Sequence, residues 1–174
     1  PHIGRMLVGA DNKHLLPVYD PDGLPEFLIE SAGVISDPPA WKLSIKGAPA
    51  PSVTVAAYGY MAELAREAIL RLAYEEELFA DLVIHTQLSP FNLDPLQDSL
   101  ARTGRLVTVE EGGLTLGWGA ELLARALELF PGRPLRAGRV AALDLPVAAA
   151  PSLESVILPQ VEDLMAGIRK VAGA

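Results

Sequence analysis

From Val53 onward the chain settles into a regular alternation of short apolar runs and stretches with helical spacing. Val53–Ala57 reads as a buried strand, and Gly59 turns it into a helix of about Tyr60 to Ala73. Met61, Leu64, Ala65, Ala68 and Leu72 form the apolar stripe of that helix. Leu82–Thr86 is the next strand. Asp94 has the character of an N-cap, with Pro95 at the first helical position and Gln97 completing a capping-box pattern. The helix it opens carries Leu96 and Leu100 and stops at Gly104. Leu106–Val109 is a further buried strand, followed by an acidic turn at Glu110-Glu111 and a loop rich in glycine: Gly112, Gly113, Gly117 and Gly119. Leu122, Leu123, Ala126, Leu127 and Phe130 then share one face of an amphipathic helix. After a Pro/Gly connection comes a strand near Val140–Ala142, then a proline- and alanine-rich loop, Leu145–Pro151. Pro159 starts the last helix, striped by Val161, Leu164, Met165, Ile168 and Val171.

Upstream the pattern is looser. Met6–Ala10 is a short apolar run, predicted to be a strand, and Phe27–Ile35 has too weak a pattern to assign. Trp41–Lys46 alternates apolar and polar, the sign of a strand with one wet face. Such a strand suits an antiparallel edge. Strand–helix alternation with right-handed crossovers places helices on both faces of a parallel sheet. The predicted fold is therefore doubly wound α/β, with four parallel strands and Trp41–Lys46 antiparallel to them.

Composition narrows the function. The chain has 174 residues, half of them hydrophobic, which suffices for one domain with a core. No apolar run reaches transmembrane length, and no signal-peptide pattern is present. A formal charge of −8 argues against a nucleic-acid partner. The absence of cysteine excludes disulfides, thiolate metal sites and cysteine nucleophiles, and fits an intracellular protein. The first residue is Pro1, so the chain is expected to be processed or a piece of something longer.

Candidate chemistry gathers after the strands. The glycine loop lacks both G-x-G-x-x-G and the Gly-Lys-Ser/Thr ending of a P-loop, so a tight strand-to-helix turn competes with an anion cradle at the helix N-terminus. Histidines 2, 14 and 85 are too scattered for a ligand spacing. His85 stands either as a structural histidine or at a ligand crevice. Glu110 and Glu111 either do acid/base work as a pair, or place one carboxyl at the following helix N-terminus and one in water. Trp118 either anchors a partner or caps the core. No G-x-S-x-G elbow is present.

Four stretches in order carry a resemblance: VTVAAYGYMAELAREAILRL, ADLVIHTQLSPFNLDPLQDSLARTGRLVTVEEGG, GWGAELLARALELF and PSLESVILPQVEDLMAGIRKV. Together they resemble the C-terminal domain of the transketolase superfamily, closest to the beta subunit of the E1 component of 2-oxo acid dehydrogenases. The most specific matches are Leu88–Pro90, Thr103–Val107, the Glu-Glu/Gly loop and Leu153–Pro159. The resemblance implies a three-layer α/β/α sandwich with a five-stranded, mostly parallel sheet and one antiparallel edge strand. It divides the chain into residues 1–40, resembling the end of a pyrimidine-binding domain plus a linker, and residues 41–174, the C-terminal-like domain.

The family's strand usually ends with an acid and an arginine before Leu-Ser-Pro. Here His85, Thr86 and Gln87 stand there instead. The resemblance also implies a non-catalytic assembly or dimerisation domain. Thiamine diphosphate and magnesium would sit on other parts of the parent oxidoreductase, with no catalytic, cofactor-binding or metal residue in this chain. The implied partners are a second copy, with Trp118 and its loop near the contact, an E1 alpha-like subunit and an acyltransferase core. The implied location is the cytoplasm, or the mitochondrial matrix of a eukaryote. Candidate interface or anion-binding residues are His85, Glu110, Glu111, Gly112, Gly113, Gly117 and Trp118. The alternatives are a stand-alone small-anion or protein-binding module, or the same domain of transketolase or 1-deoxyxylulose-5-phosphate synthase.

Overall fold

The computed structural model describes residues 27–32, 40–90 and 92–173. The predicted strand Met6–Ala10 lies outside them. The elements in chain order are β1 (Phe27–Ala32), β2 (Ala40–Ile45), β3 (Val53–Ala57), α1 (Met61–Glu76), β4 (Ala80–Ile84) and α2 (Asp94–Thr103). They continue with β5 (Arg105–Gly113), α3 (Trp118–Leu129), β6 (Arg136–Ala142), α4 (Pro151–Ile157) and α5 (Val161–Ala172).

The strands form one sheet in the order β1-β2-β4-β3-β5-β6. Strands β4, β3, β5 and β6 run parallel to one another. Strand β2 is antiparallel to β4, and β1 is antiparallel to β2. The Trp41–Lys46 alternation thus marks an antiparallel strand, but β1 lies outside it and forms the edge. The sheet has six strands among the described residues rather than five. The weak pattern of β1 has a physical cause: Phe27 is buried while Leu28, on the opposite face, is exposed, so two apolar residues straddle the pleat.

Helices cover both faces, as the right-handed crossovers require. On one face α1 and α5 pack Met61, Ala65, Ile69, Leu72, Leu164 and Ile168 against Val53, Val55, Leu82, Val107 and Val109. On the other, α2 and α3 pack Leu96, Leu100, Leu122 and Ala126 against Ala56, Val83 and Leu106. Buried Thr54, Asp81, Thr108 and Glu110 alternate with the first set along β3, β4 and β5, and so face the α2–α3 layer. One interface is therefore wholly apolar, whereas the other has polar groups built into it.

Several local expectations change. Glu110 and Glu111 belong to β5, which passes a register shift after Val109 and pairs again at Gly113–Ala142. That shift lets a strand continue where the sequence suggests a turn. Asp94 is the first residue of α2, not its cap. Its N–H donates to Asn92 Oδ1 at 2.9 Å, and its own carboxyl accepts the Gln97 side-chain amide at 2.8 Å. The capping box instead lies at α5, between Gln160 and Asp163, so Pro159 precedes that helix rather than starting it. Leu127 is exposed, because five residues beyond Leu122 it has rotated off the buried face. Glu75 and Glu76 end α1, with Glu75 paired to Arg71 and Glu76 to Arg169. Helix α4, which starts at the end of the predicted loop Leu145–Pro151, has no buried residue and so no stripe to read.

Candidate functional site at the carboxyl ends of the strands

The chain leaves β3 toward β4 and leaves β5 toward β6, in opposite directions across the sheet. Between the carboxyl ends of β3 and β5 an open α/β sheet forms its natural crevice. Tyr58 follows β3 there, His85 follows β4, Glu110 lies near the end of β5, and Trp118 opens α3. The Trp118 ring meets Tyr58 edge-on at 5.1 Å between centroids, and meets His85 edge-on at 5.2 Å. Both arrangements place a ring edge against a ring face, the favourable quadrupole geometry. Trp118 also packs against the α2–α3 core, so it caps that layer.

Glu110 is 1% exposed, and its Oε1 accepts the N–H of Gly119 at 2.9 Å. It therefore satisfies one of the free donors of the first turn of α3, at the positive end of the helix dipole. The glycines make room for it. A Cβ on Gly117 would sit 2.7 Å from both Glu110 carboxyl oxygens and collide with the carbonyl oxygen of Gly113. A Cβ on Gly119 would collide with the Thr108 hydroxyl and stand 2.9 Å from Glu110 Oε1. At Gly112 the gap to Glu110 Oε2 would be 3.0 Å. The anion at this helix N-terminus is thus the chain's own side chain. Glu111, its neighbour, points to solvent.

His85 is buried, and its backbone N–H donates to the Ala57 carbonyl at 2.9 Å. Its Nε2 has no hydrogen-bond partner among the described residues. Burial lowers its pKa from 6.5 to about 4, so the ring is neutral at pH 7. The Tyr58 hydroxyl is pushed up, first by burial and then by Glu110 and Glu111 nearby, and stays protonated at pH 7.

Beyond the cradle the β5–α3 loop is pinned on its outer side. Asp144 accepts the Thr115 N–H at 3.0 Å and the Thr115 hydroxyl at 2.6 Å. Those two bonds, hydroxyl first, hold the Asp144 carboxyl below its usual range. Arg139 donates to the Leu114 carbonyl at 2.7 Å.

The structure thus brings Gly112, Gly117 and Gly119 around the Glu110 carboxyl, with Trp118 between the last two in the chain and His85 against the Trp118 ring. Gly113 stands on the outer side, where a Cβ would be 2.8 Å from Asp144 Oδ1. Sequence reasoning missed Tyr58 and Thr108. Tyr58 was legible only as the residue immediately after a strand at the crossover point. Among the described residues no group of three or more His, Cys, Asp or Glu side chains is placed to hold a metal ion. The Gly119 N–H at the start of α3 is already taken by Glu110, so a diphosphate there would have to displace that carboxyl.

This is a three-layer α/β/α domain in which a buried carboxyl, Glu110, occupies the N-terminus of α3. The family described as "Transketolase, C-terminal domain" matches residues 42–164, and the chain belongs to it. The chain is 34% identical over 114 residues to the mitochondrial pyruvate dehydrogenase E1 component subunit beta-1 of Arabidopsis thaliana, covering 65% of this chain and 31% of that protein. It is 32% identical over 120 residues to the beta subunit of the acetoin:2,6-dichlorophenolindophenol oxidoreductase of Cupriavidus necator, covering 68% and 35% respectively. A solved split-gene transketolase, described as an inactive beta4 tetramer, superposes with a TM-score of 0.62 at 27% identity, covering 72% of this chain and 41% of that one. The chain spans about a third of the length of the curated relatives it matches. The fold and the likeness to E1 beta subunits agree with the resemblance carried by the sequence. No helix among the described residues is long and apolar enough to cross a membrane.

Proposed function

We propose that this chain is a self-associating assembly domain of a thiamine diphosphate-dependent 2-oxo acid dehydrogenase of E1 beta type, with no catalytic residue of its own. One observation carries the reading: Glu110, the best-placed carboxyl at the sheet's crevice, is committed to the Gly119 N–H and enclosed by the loop. A carboxyl held this way braces a crossover and is not presented to a substrate. The same bracing favours assembly over the small-anion module, since an anion at the start of α3 would have to displace Glu110.

On this reading thiamine diphosphate and magnesium bind elsewhere in the parent enzyme. An E1 alpha-like subunit and an acyltransferase core are the further partners, and the cytoplasm or mitochondrial matrix is the location. Residues 1–40 would then lead in from a pyrimidine-binding domain. Calorimetry with thiamine diphosphate and magnesium, followed by decarboxylation assays on pyruvate and a branched 2-oxo acid, tests the claim. The expected result is neither metal-dependent binding nor turnover by this chain alone. Tight metal-dependent binding with turnover overturns it.

A further inference from the structure

At each edge of a sheet one strand carries a row of unpaired backbone groups. Among the described residues β6 forms one such edge. The N–H of Arg136 turns inward, to the Gly104 carbonyl at 3.1 Å. Backbone direction alternates along a strand, so the N–H and C=O of Ala137 and Arg139 point outward, where the described residues offer no neighbouring strand. A groove of about 440 Å³ runs beside this edge, with Ala141 and the exposed Leu143 and Val156 among its walls.

The charges around this edge differ from those elsewhere. The chain carries −8, and Lys42, Arg66, Arg71, Arg102, Arg125 and Arg169 each pair with a carboxylate. Arg133, Arg136, Arg139 and Lys170 form no such pair among the described residues. Arg133 lies over the Phe130 ring at 6.0 Å, Arg136 donates to the Lys170 carbonyl at 2.9 Å, and Arg139 donates to the Leu114 carbonyl. The nearby carboxyls are committed. Asp163 accepts the Gln160 N–H, and Asp144 bonds to Thr115 while feeling Arg139 only through space. These cations thus border an open strand with no carboxylate to answer them. Arg136 shares the α5 face with Gly138 and Val140, while Arg139, three residues on, falls on the other face.

We propose that this edge docks an extended acidic segment of a partner protein, which adds as a further strand beside β6 and sets carboxylates against Arg136 and Arg139. Residues opposite one another on neighbouring strands share a face, so the fitting segment has acids three positions apart. Its apolar side chains on the α5 face enter the groove. Backbone pairing supplies affinity in such strand addition, and the side chains supply register. A second copy of the same edge is a poor occupant, because like charges would meet across the pairing. A nucleic acid would answer the charges but has no peptide backbone to pair. The proposal goes beyond the assembly reading above and stands without it.

Fluorescence anisotropy with the full chain tests this. The probe is a labelled peptide of valine and threonine with glutamate at every third position. Saturable binding is expected, and no binding when lysine replaces glutamate in the probe. The double variant Arg136→Glu, Lys170→Glu should weaken binding about tenfold, since it turns attraction at two exposed positions into repulsion. Ala137→Pro removes one outward N–H, a change that an edge strand tolerates when that nitrogen faces solvent. It should also weaken binding about tenfold, by taking away a backbone pair made to the probe. The glutamate peptide N-methylated along its backbone reads the same pairing against the unaltered chain, with no change to the fold, and should not bind. Failure of the glutamate peptide to bind overturns the proposal. So does equal binding of the N-methylated peptide, or of an oligothymidylate of the same charge, because either would show attraction of charge without strand addition.

Discussion

Two carboxyls are buried in the α2–α3 layer, at opposite ends of the strands, and they are held by different means. Asp81, the second residue of β4, is 1% exposed. It accepts hydrogen bonds from Ser44 at 2.6 Å, Ser99 at 2.8 Å and Arg102 at 2.8 Å. Thr54 extends that network by sharing hydrogen bonds with Ser99 and Thr103, each at 2.8 Å. Glu110 at the other end takes one backbone N–H and is otherwise surrounded by places where side chains are missing. The first arrangement stitches α2 to the sheet with side chains. The second leaves a backbone cradle, and in doing so shapes a loop that reaches past the fold. One end is bonded through side chains; the other is packed through glycines.

Substitutions sharpen this contrast. Asp81→Ala removes the acceptor of buried Ser99, part-buried Ser44 and half-exposed Arg102, with an expected cost of about 3 kcal/mol, read by urea denaturation. Replacing Gly119 by alanine drives a Cβ into the Thr108 hydroxyl and Glu110, and should cost about 2 to 3 kcal/mol. Gly47→Ala, at the β2–β3 turn with φ +73° and open space around it, should cost only about 1 kcal/mol. If Gly119→Ala proved as mild as Gly47→Ala, the cradle would not be close-packed and the contrast would fail.

His85 gives a pH signature to the carboxyl end. Its folded pKa of about 4 lies below 6.5, so the unfolded chain binds the extra proton between those values. The stabilisation is complete above pH 6.5 and is lost as pH falls through 4, amounting to about 3 kcal/mol. His85→Leu should flatten the stability profile across that window. A variant whose stability still falls as steeply between pH 6.5 and 4 would show that the acid sensitivity comes from other groups. The smallest expected effect is Leu116→Gly, at an exposed residue with φ of +58°, which should stabilise the monomer by about 0.5 to 1 kcal/mol on thermal denaturation. A loss of stability would mean that Leu116 packs within its own chain.

Much of this was legible in the sequence where periodicity reports burial. The stripe of Val161, Leu164, Met165, Ile168 and Val171 is the buried face of α5, and Val53–Ala57 is buried at every position. Strand β1 and helix α4 were not legible, for a shared reason. Each exposes apolar side chains, so the rule that apolar means inside gives no period to follow. At the site, the sequence offered Glu110 a place at the helix N-terminus as one of two alternatives. Choosing between them required knowing that Gly112, Gly117 and Gly119 converge on its carboxyl. That convergence depends on the register shift in β5, which leaves no local sequence signal.

Self-association of this domain, as proposed above, is the central claim. Sedimentation equilibrium of the unaltered chain, over a wide concentration range at low and high salt, tests it most directly. The account predicts a reversible dimer that strengthens as salt screens the −8 charge on each copy. A chain that stays monomeric at the highest concentration in high salt would contradict it.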